Sequence, residues 1–188
     1  MGNVDAASTK VITGKARFSY LHAFEPASVN GGDEKYSVSL IIPKEDKRTL
    51  NAIKKAVEAA KQAGISKFGG KIPANLKLPL RDGDTEREDD ENYAGCYFVN
   101  ANCKTKPGLI YKNGQPIIDS TDLYSGCYGN ASITFYAFNS NGSKGVACGL
   151  NSLMKVADGE PLGGRAKPED DFAGLIDGDF NDEDDFLG

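Results

Sequence analysis

Residues 126–138, GCYGNASITFYAF, alternate between two kinds of side chain. Successive side chains of an extended chain point to opposite sides. Cys127, Ala131, Ile133, Phe135 and Ala137 therefore share one face, and Tyr128, Asn130, Ser132, Thr134, Tyr136 and Phe138 share the other. The first face is apolar enough to bury, whereas the second is aromatic and polar together. The segments around it have the same character. Residues 93–103 (YAGCYFVNANC), 108–118 (GLIYKNGQPII) and 144–156 (KGVACGLNSLMKV) read as further strands, joined by stretches rich in glycine, asparagine and proline.

Nearer the N-terminus, residues 10–22 alternate so that Ile12, Ala16, Phe18 and Tyr20 fall on one side and Lys15, Arg17 and Ser19 on the other. In KYSVSLIIP, Tyr36, Val38, Leu40 and Ile42 alternate with Lys35, Ser37 and Ser39 before Pro43 stops the run. Leu50, Ile53, Val57 and Ala60 recur at helical spacing, with Glu45 and Asp46 at the start and Gly64 at the end. Residues 64–93, punctuated by Gly69, Gly70, Pro73 and Pro79, read as a long, irregular, exposed excursion. Six short strands around one inserted helix predict a mainly β fold, an OB-fold-like barrel rather than a doubly wound parallel sheet. The expected organisation is one domain over 1–168 followed by a disordered acidic tail over 169–188.

The charges divide along the same line. The chain has 22 basic and 27 acidic residues, a net charge of −5, but nine of the acids lie in 169–188, a segment with no lysine or arginine. Residues 1–168 therefore hold 22 basic against 18 acidic residues. Asp82 to Glu91 contains seven more acids and one arginine, so the rest of the body reaches 21 against 11, or +10. A surface so biased binds anions, with nucleic acid the leading candidate. No run approaches membrane-spanning length and no apolar leader opens the chain, so a soluble, cytoplasmic protein is expected.

Catalytic and metal patterns fail on inspection. Asp82, Asp84 and Glu86 begin like a calcium loop, but Arg87 replaces the turn glycine and Tyr93 the bidentate glutamate. From Gly64 a phosphate-loop frame reaches Gly69 but then meets Gly70 instead of lysine. The four cysteines, Cys96, Cys103, Cys127 and Cys148, match no zinc spacing and read as buried free thiols. With His22 the only histidine, no nucleophile and base can be paired. No metal, no cofactor and no enzymatic activity are expected. Two rival readings remain: a metal-dependent nuclease built on Asp82 and Asp84, and an acidic protein-interaction adaptor.

The wet face of 126–138 suits unpaired bases, which stack on aromatic rings while lysines steer the phosphates. Tyr128 and Tyr136 are the first stacking candidates, with Tyr97 and Tyr111 behind them. Lys15, Arg17, Lys35, Lys104, Lys106 and Lys112 are the expected phosphate contacts. In the tail, Phe172, Phe180 and Phe186 lie among carboxylates. Phe180, Asp182, Glu183, Asp184, Asp185 and Phe186 are expected to contact a basic partner and to compete with nucleic acid for the body.

Taken together, LPLRDGD (78–84), YSGCYGNASITFYAF (124–138), GVACGLNSLMKVADGEPLGG (145–164) and the acidic phenylalanine tail resemble the phage-encoded single-stranded DNA-binding proteins of tailed phages. The resemblance spans nearly the whole chain. It implies an OB-fold that binds single strands with little sequence preference in phage replication, recombination or repair, inside an infected bacterial cell. It also implies a tail that recruits phage or host replication and recombination proteins. Leu187 and Gly188 follow Phe186, whereas related acidic tails commonly end on the aromatic residue itself. Homodimerisation stays open from the sequence.

Overall fold

The computed structural model describes residues 8–28 and 31–162. The expected tail, 169–188, lies outside them. The strands are β1 (Lys10–Ile12), β2 (Ala16–Ser28), β3 (Glu34–Pro43), β4 (Leu80–Asp82), β5 (Cys96–Cys103), β6 (Gly108–Tyr111), β7 (Tyr128–Ser140) and β8 (Ser143–Ala157). The helices are α1 (Lys47–Ala63) and the short α2 (Gly83–Glu86). Strands β2, β3, β5, β8 and β7 pair in that order, and β7 returns to β2. The ring is therefore closed. Its pairings are antiparallel except β5 with β8, which meet in parallel at Asn102 and Gly149. A closed five-stranded barrel of this connectivity is an OB-fold.

The faces of the ring strands follow from side-chain size and polarity. Phe18, Val38, Leu40, Ile42, Val99, Ala101, Ile133, Phe135, Leu150 and Leu153 fill the barrel. Cys127 and Cys148 are buried thiols within this core, whereas Cys96 and Cys103 are half-buried. Helix α1 presents Leu50, Ile53, Ala56, Val57 and Ala60 to the same core. Its first turn is capped by Asp46, whose carboxylate accepts from the Thr49 amide at 3.1 Å. Thr49 Oγ1 in turn accepts from the Gly14 amide at 2.8 Å, which ties the helix to the break between β1 and β2. At the other end Gly64 lies flat on β7, where an added Cβ would sit 2.1 Å from the Ala137 Cβ.

Several expectations need correcting. Residues 10–22 form two strands rather than one, and their alternation fails at both ends: Ile12 is 58% exposed and Tyr20 is 52% exposed. The excursion 64–93 is mostly exposed, as expected, but it is not irregular. It carries a 3-10 turn at Ile65–Phe68, strand β4 paired with β5, helix α2 and a second 3-10 turn at Glu91–Tyr93. Its Tyr93 is completely buried, in a small cluster with Ile41 and Phe98. The fold therefore has eight strands where six were expected. Of 108–118, only 108–111 is a strand, with a turn that brings Pro116 back opposite Ile110.

A lysine holds the acidic excursion down. Lys44, just after β3, pairs with Asp82 at 2.9 Å and Asp84 at 2.8 Å. The Asp84 carboxyl is held below the usual carboxylate range, first by Lys44 and then by the Gly95 amide that donates to it at 2.9 Å. A depressed folded-state value stabilises the fold above the unfolded value, near 3.9, and that contribution is lost as pH falls through the folded one. Lys44→Met should therefore lower Tm at pH 7, and the deficit relative to the parent should shrink in melts recorded below about pH 3.5. Gly64→Ala should lower Tm at every pH, because relieving the clash with Ala137 costs ~1–3 kcal/mol, readable from chemical denaturation.

Candidate nucleic-acid interface

The barrel turns one broad surface outward across β2, β3 and β5. Val38, Leu40 and Ile42 point inward, which leaves Lys35, Ser37, Ser39 and Ile41 outward on β3. Across the register Ser37 faces Asn102, Ser39 faces Asn100 and Ile41 faces Phe98. On the other flank Arg17 lies opposite Ile41, Ser19 opposite Ser39 and His22 opposite Ser37.

The excursion covers part of this surface. Tyr93 donates its hydroxyl to Ser39 Oγ at 3.1 Å, and its ring meets Phe98 edge-on at 5.1 Å. Arg87, the only cation of the acidic run, places its guanidinium 5.3 Å from the Phe98 ring, 5.5 Å from Tyr93 and 5.6 Å from Tyr20. Burying rings beneath a delocalised cation offsets the loss of its water. Around Arg87 and Tyr20, Glu86, Glu88, Asp89, Asp90 and Glu91 line an open hollow of about 720 Å³.

Beyond that cover the surface is open, with Tyr20 and His22 on β2 and Asn100 on β5 exposed. Tyr20 sits where the β2–β3 register slips between Ser19 and His22, and its φ is +46°. A non-glycine residue in this left-handed region is strained by ~1–3 kcal/mol, a cost that clusters at binding sites. Here it turns outward a ring that simple alternation would bury. No pattern in the residues 10–22 signals it.

At the lower end of the surface, two cations approach the Tyr128 ring, Lys15 Nζ at 5.5 Å from its centroid and the Arg17 guanidinium at 5.4 Å. Arg17 also donates to the carbonyls of Gly126 at 3.0 Å and Glu160 at 2.7 Å, and to Asn92 Oδ1 at 3.3 Å. It thus joins β7, the excursion and the segment that leaves β8. That segment is further held by Asp158, which accepts from Tyr124 at 2.8 Å and pairs with Lys155 at 2.6 Å, and by the Leu162 amide on Ser125 O at 2.9 Å. The chain leaves the described region beside Tyr128. At the upper end Lys35 begins β3, while exposed Lys104 and Lys106 follow β5, with Lys106 Nζ 5.1 Å from the Phe24 ring.

The structure thus brings Lys15, Arg17 and Tyr128 together, and places Lys35, Lys104 and Lys106 at the far end of the same surface. The remaining candidates lie elsewhere. Tyr136, 45% exposed, is on the outer face of β7, eight residues from Tyr128, or ~26 Å along a strand. Tyr97 lies on the inward side of β5 beside the core, with Lys44 Nζ 5.1 Å from its ring. Tyr111 also packs on the core and donates its hydroxyl to Asp122, which pushes its phenol up. Lys112 is exposed at the turn after β6. Asp82 and Asp84 hold Lys44, and Asp82 caps α2 by accepting from the Asp84 amide at 2.9 Å. Among the described residues no group of three or more His, Cys, Asp or Glu could hold a metal ion.

A closed barrel of this connectivity, with aromatic rings and cations along an outer surface that runs from Tyr128 on β7 across β2 to β3 and β5, has the architecture of OB-fold oligonucleotide-binding proteins. The family model of the Enterobacter phage Enc34 ssDNA-binding protein matches residues 9–187. The chain belongs to this family of phage single-stranded DNA-binding proteins, which are not enzymes. Protein p50 of Acyrthosiphon pisum secondary endosymbiont phage 1 is 33% identical over 163 residues, covering 82% of this chain and 87% of that protein. The single-stranded DNA-binding protein of bacteriophage Enc34, solved in complex with ssDNA, is 25% identical with a TM-score of 0.74, over 82% of this chain and 90% of its own. Bacteriophage T7 gp2.5, a single-stranded DNA-binding protein, shares the fold at a TM-score of 0.62 and 17% identity, over 97% of this chain and all of its own.

Proposed function

We propose that this protein binds single-stranded DNA without sequence preference across the outer face of β2, β3 and β5, and that it serves phage DNA replication, recombination or repair in the host cytoplasm. The observation that carries this reading is the continuity of the face. It runs from Lys15, Arg17 and Tyr128, past Tyr20 and the exposed Asn100, to Lys35, Lys104 and Lys106. Rings at two points along it offer stacking to any base, and cations at both ends neutralise phosphates. Tyr20 joins Tyr128 as a stacking residue. In this reading Tyr97 and Tyr111 support the barrel, and Tyr136 and Lys112 lie off the main path. No helix among the described residues is long and apolar enough to cross a membrane.

The tail regulates access in this reading. Its carboxylates compete with phosphates for the cations, and once displaced by DNA its phenylalanines are available to a replication or recombination partner. The support is that the chain leaves the described region at Leu162, bonded to Ser125 beside Tyr128 and Arg17. A tail starting there is at high effective concentration over the site.

Fluorescence anisotropy of labelled oligo-dT should report binding that duplex competitors do not displace and that weakens as salt rises, with the oligonucleotide intact in magnesium. Absence of binding would end the proposal. Tyr20→Ala and Tyr128→Ala should each cost ~1–3 kcal/mol of affinity at unchanged Tm, and Tyr136→Ala much less. A larger loss from Tyr136→Ala would move the DNA path to the β7 face. Replacing Asp182, Glu183, Asp184 and Asp185 by their amides should tighten binding and steepen its salt dependence, because the intramolecular competitor is weakened. Unchanged titration curves would leave the tail only its partner role.

A further inference from the structure

Helix α1 has a second cationic surface that the DNA path does not use. It turns Lys47, Arg48, Lys54 and Lys55 to solvent, and among the described residues none of the four is in an ion pair. Beside them an apolar groove of about 270 Å³ runs between the helix and the segment entering β4. Ile53, Val57, Leu78, Pro79 and Leu80 form its walls, with Lys54, Glu58 and Lys61 on its rim. Leu78 is 43% exposed there, an apolar side chain left half in water.

Two properties set this surface apart from a nucleic-acid site. None of the residues lining the groove is aromatic, and α1 contains no Phe, Tyr or Trp, so a base has no ring to stack on. The groove is also smaller than the ~300–1,000 Å³ typical of small-molecule sites. It has room for a large apolar side chain. A ligand matched to it would put such a side chain into the aliphatic groove and carboxylates beside the flanking lysines.

We infer that this groove on α1 is a docking site for the chain's own acidic C-terminal segment, with Phe180 or Phe186 seated between α1 and Leu78–Leu80. Around these two phenylalanines lie Asp179, Asp182, Glu183, Asp184 and Asp185, with no basic residue among them. They are opposite in sign to Lys47, Arg48, Lys54 and Lys55, and Glu58, the one acid in the groove lining, is paired with Lys61 at 3.4 Å. Phe180 lies 18 residues beyond Leu162, a reach of ~60 Å at ~3.3 Å per residue. A body of this size has a radius of gyration of only ~15 Å, so the connection spans it easily. A tethered segment meets the groove at millimolar effective concentration, which favours its own copy over a neighbour. The tail then has two alternative seats on one body, the DNA face and α1. Occupancy of α1 keeps it off the DNA face.

The test is a photocrosslink from p-benzoylphenylalanine placed at position 180 of the full chain, with products mapped by mass spectrometry. Irradiating an equal mixture of isotopically light and heavy copies separates crosslinks within one copy from those between copies. Same-copy crosslinks to peptides containing Lys54–Lys61 or Leu78–Leu80 are expected. Exposed Lys54→Gln with Lys55→Gln should cut their yield by about five-fold, as two weak surface charge contacts require, and Lys54→Arg with Lys55→Arg should restore it. Crosslinks confined to the DNA face, found only in mixed-isotope products, or absent would each overturn the inference. So would a loss of oligo-dT affinity in the Gln variant as large as that of Lys15→Gln, which would make α1 a phosphate surface. The crosslink is read without DNA, so its failure is distinct from any failure of DNA binding.

Discussion

Closure of the barrel between β2 and β7 is the constraint on which the rest depends. The two strands share only a short run of pairing, Ala16 with Gly129 and Arg17 with Tyr128, supported by the Phe18 amide on Cys127 O at 2.9 Å. Gly129 must be glycine there. An added Cβ would lie 2.1 Å from Met154 O and 2.8 Å from the Phe18 ring, so a side chain would push β7 away from both of its neighbours. The same closure that completes the core also sets Arg17 beside Tyr128. Core and candidate site are thus fixed by one event, and the site's geometry is as rigid as the seam that makes it.

Charge placement then decides how the face can work. A carboxylate-rich loop next to a phosphate-binding surface would oppose binding if it were free to move across it. Here it is tied at both ends. Lys44 engages Asp82 and Asp84 on one side, and Arg87 is laid over Phe98, Tyr93 and Tyr20 on the other. The carboxylates left over, from Glu88 to Glu91, rim one flank of Tyr20. In the proposed reading they repel phosphate on that flank and turn a strand stacked on Tyr20 toward His22 and Asn100. The acidic excursion is a wall that gives the path an edge.

How much of this could be read from the residues depends on which physical signal each one carries. The face of β7 follows alternation and was fully legible, as was the stripe of α1, because burial there obeys a simple period; on β3 alternation gives the side-chain directions but not the burial, since Ser39 and Ile41 are buried under the excursion. Arg17 and Tyr128 were legible as types but not as neighbours, since their meeting depends on barrel closure between strands over a hundred residues apart. Tyr20 was not legible, because its exposure comes from a left-handed backbone at a register slip, and alternation assigns it to the core. The anchoring of the excursion was hidden for the opposite reason. Seven acids in ten residues have the composition of a solvated loop, and the single Arg87 and the buried Tyr93 that anchor it are outnumbered in any compositional measure.

Among the described residues the candidate face offers open hollows and few fixed donors, and this limits what it can recognise. Telling one base from another requires hydrogen-bonding groups held in place against base edges, so that a wrong base leaves a buried polar group unpaired. Asn100, Asn102 and Ser37 are the polar groups nearest the middle of the path, and they sit exposed or half-exposed on strands, where water can replace any base. A mismatch there costs little. The stacking proposed for Tyr20 and Tyr128 is equally indifferent, because every base has a π-face. The affinity of such a surface comes from rings and charge, and both terms are blind to sequence. The arrangement suits a protein that coats whatever single strand is exposed, and it makes ionic strength, rather than sequence, the variable that sets occupancy.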